Sequence, residues 1–220
     1  MFQNLTPEEA RRHYDDNVEK QDRQGWYEDN AFDLLLALGD FEHAQAILEV
    51  GCGTGRFAER LLRERLRDYA MYTGIDISPA MLAKAAARLA PFELRATLKP
   101  ADVTLGLTEP GGSADRVIAT YLFDLLSPAH SLHLLAELHR ILRPNGLVCL
   151  ASLTPETETG DTTVFTQLWM LVQRIWPWIV GGCRPVQLVP MLDRAKWKII
   201  AQELVRTRGL ISEVVVARKL

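Results

Sequence analysis

Three glycines at alternate positions, Gly51, Gly53 and Gly55, follow an acid set among apolar residues, Ile47-Leu48-Glu49-Val50. The apolar run reads as a buried strand, and the residues from Thr54 onward as a helix that starts at a tight turn. Backbone without Cβ lets a ligand come close, and the first N–H groups of a helix are free to donate to it. That arrangement suits a nucleoside-containing cofactor. Two more acids stand where such a ligand needs acceptors. Asp76 lies about 20 residues past the glycines, a spacing at which a strand-end carboxylate accepts from both ribose hydroxyls. Asp102 stands near the next strand end, and Ile77 and Val103 are apolar residues beside the two acids.

The glycine spacing separates the candidate cofactors. Dinucleotide oxidoreductases carry G-x-G-x-x-G, whereas this chain has G-x-G-x-G. No Lys-Ser/Thr pair follows the glycines, so the phosphate loop of nucleoside triphosphatases is excluded. Glu49, two residues before the first glycine, suits a cationic amine better than a pyrophosphate. Cys52 reads as a small residue in a tight turn, not as a nucleophile.

The elements that position these residues alternate. Strands are expected at Ile47 to Val50, Met71 to Ile75, Phe92 to Leu98, Asp115 to Thr120 and Leu147 to Ser152. Helices are expected from Thr54 to about Arg67, from Ala80 to Leu89 after Ser78-Pro79, and from Ala129 to Leu142 after Ser127-Pro128. This alternation argues a parallel sheet with helices on both faces. Upstream, Thr6-Pro7-Glu8-Glu9 opens a helix with a capping box. Gly25-Trp26-Tyr27 reads as a break, and a second helix runs from about Asn30 to Leu38, so that both helices form a lid. Downstream, Thr163 to Trp176 reads as an amphipathic helix and Val186 to Arg194 as a short one. Lys196 to Leu204 and Ile211 to Arg218 are strand-like, and the short link between them favours an antiparallel hairpin.

As a set these segments resemble the class I S-adenosylmethionine-dependent methyltransferases. Glu49 to Gly55 is similar to their motif I, Gly74-Ile75-Asp76-Ile77-Ser78 to the ribose-binding segment and Ala101-Asp102-Val103 to the adenine segment. Asp115 to Tyr121 resembles motif IV, and Leu138 to Leu147 the helix, turn and strand that follow. The resemblance spans roughly residues 45–153. It implies an α/β, Rossmann-like sheet of seven strands, mostly parallel with an antiparallel terminal hairpin strand, helices on both faces and an N-terminal helical lid. It implies one domain: a cap over 1–44, a cofactor core over 45–153, a substrate-side insertion over 154–195 and the hairpin over 196–220. The cofactor it implies is S-adenosylmethionine, and the product S-adenosylhomocysteine. The residues assigned to it are Tyr14, Glu49, Gly51, Cys52, Gly53, Gly55, Asp76, Ile77, Met81, Asp102, Val103 and Tyr121.

The methyl acceptor is bounded by absences. The 220 residues carry a formal net charge of -3 and no dense Lys/Arg run, which argues against nucleic acid. The place after the fourth strand reads Ala119-Thr120-Tyr121-Leu122-Phe123-Asp124, without the Asn/Asp-Pro-Pro-aromatic motif of amino-directed nucleic acid methyltransferases. The paired-glutamate loop of protein arginine methyltransferases is missing too. A small molecule is left as the expected partner. Trp169, Trp176 and Trp178 suggest an apolar acceptor, and Arg184 after Gly181-Gly182 suggests an anionic or polar head. Trp26, Tyr27, Asp124, Trp169 and Arg184 are the acceptor-side candidates. A lipid amine fits them; a quinone-type C-methyltransferase and a non-catalytic cofactor-binding scaffold are the alternatives. No general base is legible: His13 is the best placed histidine, while His43, His130, His133 and His139 read as structural or solvent-facing.

Three widely spaced cysteines, Cys52, Cys149 and Cys183, show no metal-ligand spacing and fit a reducing cytosol, so no metal is expected and the chain reads as cytoplasmic. The N-terminus has neither the basic nor the apolar segment of a signal peptide. Gln167, Gln173, Arg174 and Pro177 interrupt the apolar stretch from Val164 to Cys183. That rules out an ordinary span and leaves room for peripheral contact with a membrane.

Overall fold

A computed structural model describes residues 5–155 and 183–220. Strands β1 (Ala46–Val50), β2 (Met71–Asp76), β3 (Ala96–Pro100), β4 (Ala114–Thr120), β5 (Leu142–Leu153), β6 (Trp197–Thr207) and β7 (Leu210–Lys219) form one sheet in the order β3-β2-β1-β4-β5-β7-β6. The pairs β3-β2, β2-β1, β1-β4 and β4-β5 are parallel. β7 is antiparallel to both neighbours, β5 and β6. The strand order reverses between β1 and β4, and ligands of open α/β sheets bind at such a switch point, beyond the carboxyl ends of the strands.

The apolar runs of β1, β4 and β5 are buried on both faces, as parallel strands require. Leu48, Val50, Val117, Ala119, Val148 and Leu150 face α6 (Pro128–Ile141) through Leu134, Leu138 and Ile141. Ile47, Ile118, Cys149 and Ala151 face the opposite layer. There α4 (Arg56–Glu64) contributes Phe57, Leu61 and Leu62, and α5 (Pro79–Leu89) contributes Leu89.

The N-terminal helices depart from the sequence reading. α1 (Pro7–Asp16) starts as expected, with the Thr6–Glu9 capping box formed, and a short α2 (Val18–Asp22) follows. Gly25-Trp26-Tyr27 is not a break: α3 runs from Gly25 to Leu38. Tyr27, Ala31, Phe32, Leu35 and Leu36 form one buried stripe at helical spacing. α3 also does more than cover the site, because Phe32, Leu35 and Leu36 belong to the core layer with Val214 and Val216 of β7. Burial of that stripe outweighs the helix cost of Gly25, about 1 kcal/mol.

Smaller differences lie at element ends. β3 begins at Ala96 because Ala90–Phe92 closes into a 3-10 turn, where Pro91 removes a backbone donor. The expected helix after Pro185 shrinks to a 3-10 turn at Val189–Met191, with Pro190 inside it. The hairpin link is only Arg208-Gly209, both at positive φ (49° and 92°), as a type I′ turn needs. The expected helix from Thr163 to Trp176, with Trp169, lies outside the described residues. Among the described residues no helix is long and apolar enough to cross a membrane.

Candidate active site

The glycine turn leaves β1 at the switch point. Its geometry is fixed by the backbone of β2: the amides of Gly51 and Cys52 both donate to the Ile75 carbonyl, at 2.8 and 3.0 Å. Gly53 has φ of +52° and open space where a Cβ would sit, so its bare backbone faces a ligand without hindrance. Gly55 serves packing instead. A Cβ there would stand 3.2 Å from the Ala85 Cβ on α5.

Asp76 closes β2 and accepts from the Gly53 amide at 2.8 Å and the Ser78 amide at 2.9 Å. Burial raises its pKa, while those amide bonds oppose the shift. Asp102 caps the 3-10 turn Val103–Leu105, its Oδ1 accepting from the Thr104 amide and hydroxyl at 2.9 and 2.7 Å. Glu49 is buried on β1 and accepts from the Tyr72 hydroxyl at 2.6 Å. Desolvation pushes its carboxyl up to about 8. Desolvation also raises Cys52, which agrees with a structural thiol.

These groups form one wall of a cavity of about 420 Å³. Tyr14, Glu49, Gly51, Cys52, Gly53, Asp76, Ile77, Met81, Asp102, Val103 and Tyr121 all line it, so eleven of the twelve cofactor candidates converge. Gly55 is not among the described lining residues. A second wall comes from α3 and the loop after β4, Tyr27, Glu28, Phe32, Leu122, Leu125 and Leu126, and meets the first where Leu122 lies against Gly51. Tyr121 sits at φ 52°, a strained conformation for a non-glycine residue, and joins the two walls. Its ring meets the Tyr27 ring edge-on at 5.4 Å, and its hydroxyl is 2.9 Å from that of Ser212 on β7.

The acceptor-side candidates divide. Tyr27 lines the cavity, but Trp26 faces outward at 47% exposure under the guanidinium of Arg208. Asp124 is buried behind the lining, with no side-chain hydrogen-bond donor on its carboxyl among the described residues. Burial pushes it up to about 7, against the pull of nearby amides and of Arg184. Arg184 lies outside the described lining and turns its guanidinium to the Leu126 carbonyl at 3.4 Å, while its amide donates to the Asp124 carbonyl at 2.7 Å. His13 lines a separate groove beside α2, whereas His130 stands at the cavity. Among the described residues no cluster of three or more His, Cys, Asp or Glu could hold a metal ion.

Sequence reasoning missed Glu28, Phe32, Arg56 and Cys183, which also line the cavity. Glu28 Oε2 accepts from Arg56 Nη1 at 2.6 Å, and Arg56 also pairs with Asp29. Glu28 and Phe32 are four residues apart, one turn of the same helix face. Extending α3 back to Gly25 would have exposed that signal.

Comparison with known proteins agrees with this geometry. Residues 47–146 match the family described as a methyltransferase domain. An uncharacterized methyltransferase of Geobacillus kaustophilus is 31% identical over 156 residues, 70% of this chain and 66% of the relative. A malonyl-[acyl-carrier protein] O-methyltransferase of a Paenibacillus species is 34% identical over 128 residues, 56% of this chain and 44% of the relative. The chain therefore spans two thirds or less of the length of these curated relatives. The N-methyltransferase NodS of Bradyrhizobium japonicum, solved with S-adenosylhomocysteine, shares the fold with a TM-score of 0.70 at 14% identity, covering 96% of this chain and 98% of that one. Residues 47–146 thus carry a methyltransferase-domain match, and the sheet order and the glycine-and-acid wall are similar to those of the class I S-adenosylmethionine-dependent methyltransferases.

Proposed function

We propose that the protein transfers the methyl group of S-adenosylmethionine to a small apolar or amphiphilic acceptor, by in-line displacement. The observation that carries this is the single cavity whose one wall holds Gly53, Asp76 and Asp102 and whose other wall is aromatic and aliphatic. Asp76 takes the ribose hydroxyls, Asp102 with Ile77 and Val103 the adenine, and Glu49 and Tyr14 face the methionyl end. The sulfonium already activates the methyl carbon, so the protein's part is to orient the two reactants and exclude water. Proximity and orientation supply about 7–11 kcal/mol of such a barrier. The helices before β1 act as the cap over 1–44 and the core over 45–153 holds the cofactor. An acceptor such as a lipid amine fits the apolar wall, and its membrane would be met peripherally.

Calorimetry tests the cofactor assignment. S-adenosylmethionine should bind and NAD should not. Asp76→Ala should weaken binding by about 10- to 100-fold, the effect of losing hydrogen bonds to a charged acceptor. Unchanged affinity would remove the assignment. Transfer of label from methyl-labelled cofactor into a cell extract, read by mass spectrometry, identifies the acceptor.

A further inference from the structure

We propose that the acceptor end of the cavity recognises a cationic head group, an alkyl- or arylammonium, through Glu28 within a wall of tyrosines. This rests on the reading of the site as a methyltransferase and names its substrate class.

The charge balance at that end carries the inference. Arg56 is the only Lys or Arg among the described lining residues, and two carboxylates, Glu28 and Asp29, already pair with it. Asp29 is half exposed and outside the lining, so Glu28 is the acid of this group that faces the cavity. Arg184, the residue that suggested an anionic head, turns away to the Leu126 carbonyl. Beneath the lining lies Asp124, buried to 1% exposure, with backbone amides and the Arg184 charge acting on its carboxyl. An anion entering here would meet no uncommitted Lys or Arg among the described lining residues, whereas an ammonium would meet the Glu28 carboxylate.

The aromatic residues favour the same ligand. Tyr27, Phe32 and Tyr121 line the cavity around Glu28, their rings in mutual contact. The Tyr27 hydroxyl is held by Gln24 at 2.7 Å and that of Tyr121 by Ser212, which leaves the rings to the cavity. Aromatic rings attract a desolvated cation. The charged and titratable neighbours of Glu28 are Arg56 on α4, Asp29 and Tyr27 on its own helix, Tyr14 on α1, and Asp124, Tyr121 and Cys183 around the cavity floor. Burial pushes Glu28 up to about 7 against the pull of Arg56, a value suited to taking a proton near neutrality. The step balances. The ammonium gives one proton to the Glu28 carboxylate and its nitrogen lone pair forms the N–C bond. The C–S pair returns to sulfur, leaving a methylated ammonium and S-adenosylhomocysteine.

The test is calorimetry on the full chain saturated with S-adenosylhomocysteine, titrated below micelle concentration with dodecylamine, dodecanol and dodecanoate. Dodecylamine should bind at least 10-fold more tightly than the other two. Glu28→Gln, which can still accept from Arg56, should lose most of that preference at unchanged S-adenosylhomocysteine affinity. Equal binding of all three, or a preference that survives Glu28→Gln, would overturn the cation site alone. Tighter dodecanoate binding that weakens in Arg184→Ala would overturn it in favour of an anion site. Failure of S-adenosylhomocysteine itself to bind would overturn the methyltransferase reading and this inference with it.

Discussion

At the scale of the residue, Glu49 shows how a binding group costs the empty protein stability. Its carboxyl is fully desolvated and keeps its proton up to about 8, with the Tyr72 hydroxyl as its hydrogen-bond donor. The unfolded chain ionises near 4.5, so between those values the folded state holds the extra proton and stability falls as pH rises. Glu49→Gln keeps an acceptor for Tyr72 and removes the charge. It should raise the apo unfolding free energy at pH 8 by on the order of 1–3 kcal/mol, a gain that shrinks toward pH 5. Denaturant titrations at the two pH values measure this. The same variant should bind S-adenosylmethionine several-fold more weakly, because the cofactor's amine loses its carboxylate. A variant as unstable at pH 8 as the parent would show that Glu49 is not held neutral.

At the scale of the element, the N-terminal helices are fastened to the cofactor core by acids on one side and helix starts or cations on the other. Asp15 on α1 accepts from the Ser78 hydroxyl at 2.6 Å and the Ala80 amide at 3.3 Å, at the first turn of α5. Negative charge there also suits the helix dipole. Asp22 on α2 accepts from Arg88 at 2.9 Å and from the Thr54 hydroxyl at 2.8 Å, beside the glycine turn. Glu28 on α3 repeats the pattern with Arg56. These pairs are partly buried, at 12–19% side-chain exposure, and contribute on the order of 1 kcal/mol each, less at high salt. Asp22→Asn should therefore leave the global stability nearly unchanged. Amide exchange over residues 5–24 should quicken by about 5- to 10-fold, the equivalent of about 1 kcal/mol of local opening, with β1, β4 and β5 unaffected. Exchange that quickens equally in the strands would mean α2 is part of the core and not a fastened lid.

For the whole molecule, three buried carboxyls share one consequence. Glu28 and Asp124 are pushed up to about 7 and Glu49 to about 8. His13 and His139 have lowered values and favour folding as pH rises, but their effect is complete by about 6.5. Glu137, held near 2 by Arg140, changes only below 4.5. Between pH 6.5 and 8.5 the raised acids dominate. Apo stability should fall across that window by on the order of 2 kcal/mol. Thermal unfolding at several pH values checks the slope. A cationic amine bound with S-adenosylhomocysteine should flatten it, since it supplies the charge that the buried acids lack. A slope of opposite sign would mean these carboxyls are ionised in the folded protein.

The sequence by itself determined the sheet, the switch point and the cofactor wall. Those features depend on local patterns: apolar runs of strand length, alternate glycines, an acid at each strand end, and Ser-Pro pairs that start helices. It also determined the terminal hairpin, because a short link forbids a crossover. Only the tertiary structure decided the acceptor side. Glu28 is one more charged residue in a polar segment until the packing of Phe32 and Leu35 on β7 turns its face to the cavity. Arg184 reads as an anion site in the sequence, and in the fold its guanidinium lies 3.4 Å from the Leu126 carbonyl, outside the described lining. The cofactor is held by contiguous turns whose chemistry is written in order along the chain. The proposed acceptor side of the cavity is assembled from α1, α3, the loop after β4 and Cys183, segments far apart in sequence whose side chains acquire a direction only when they pack.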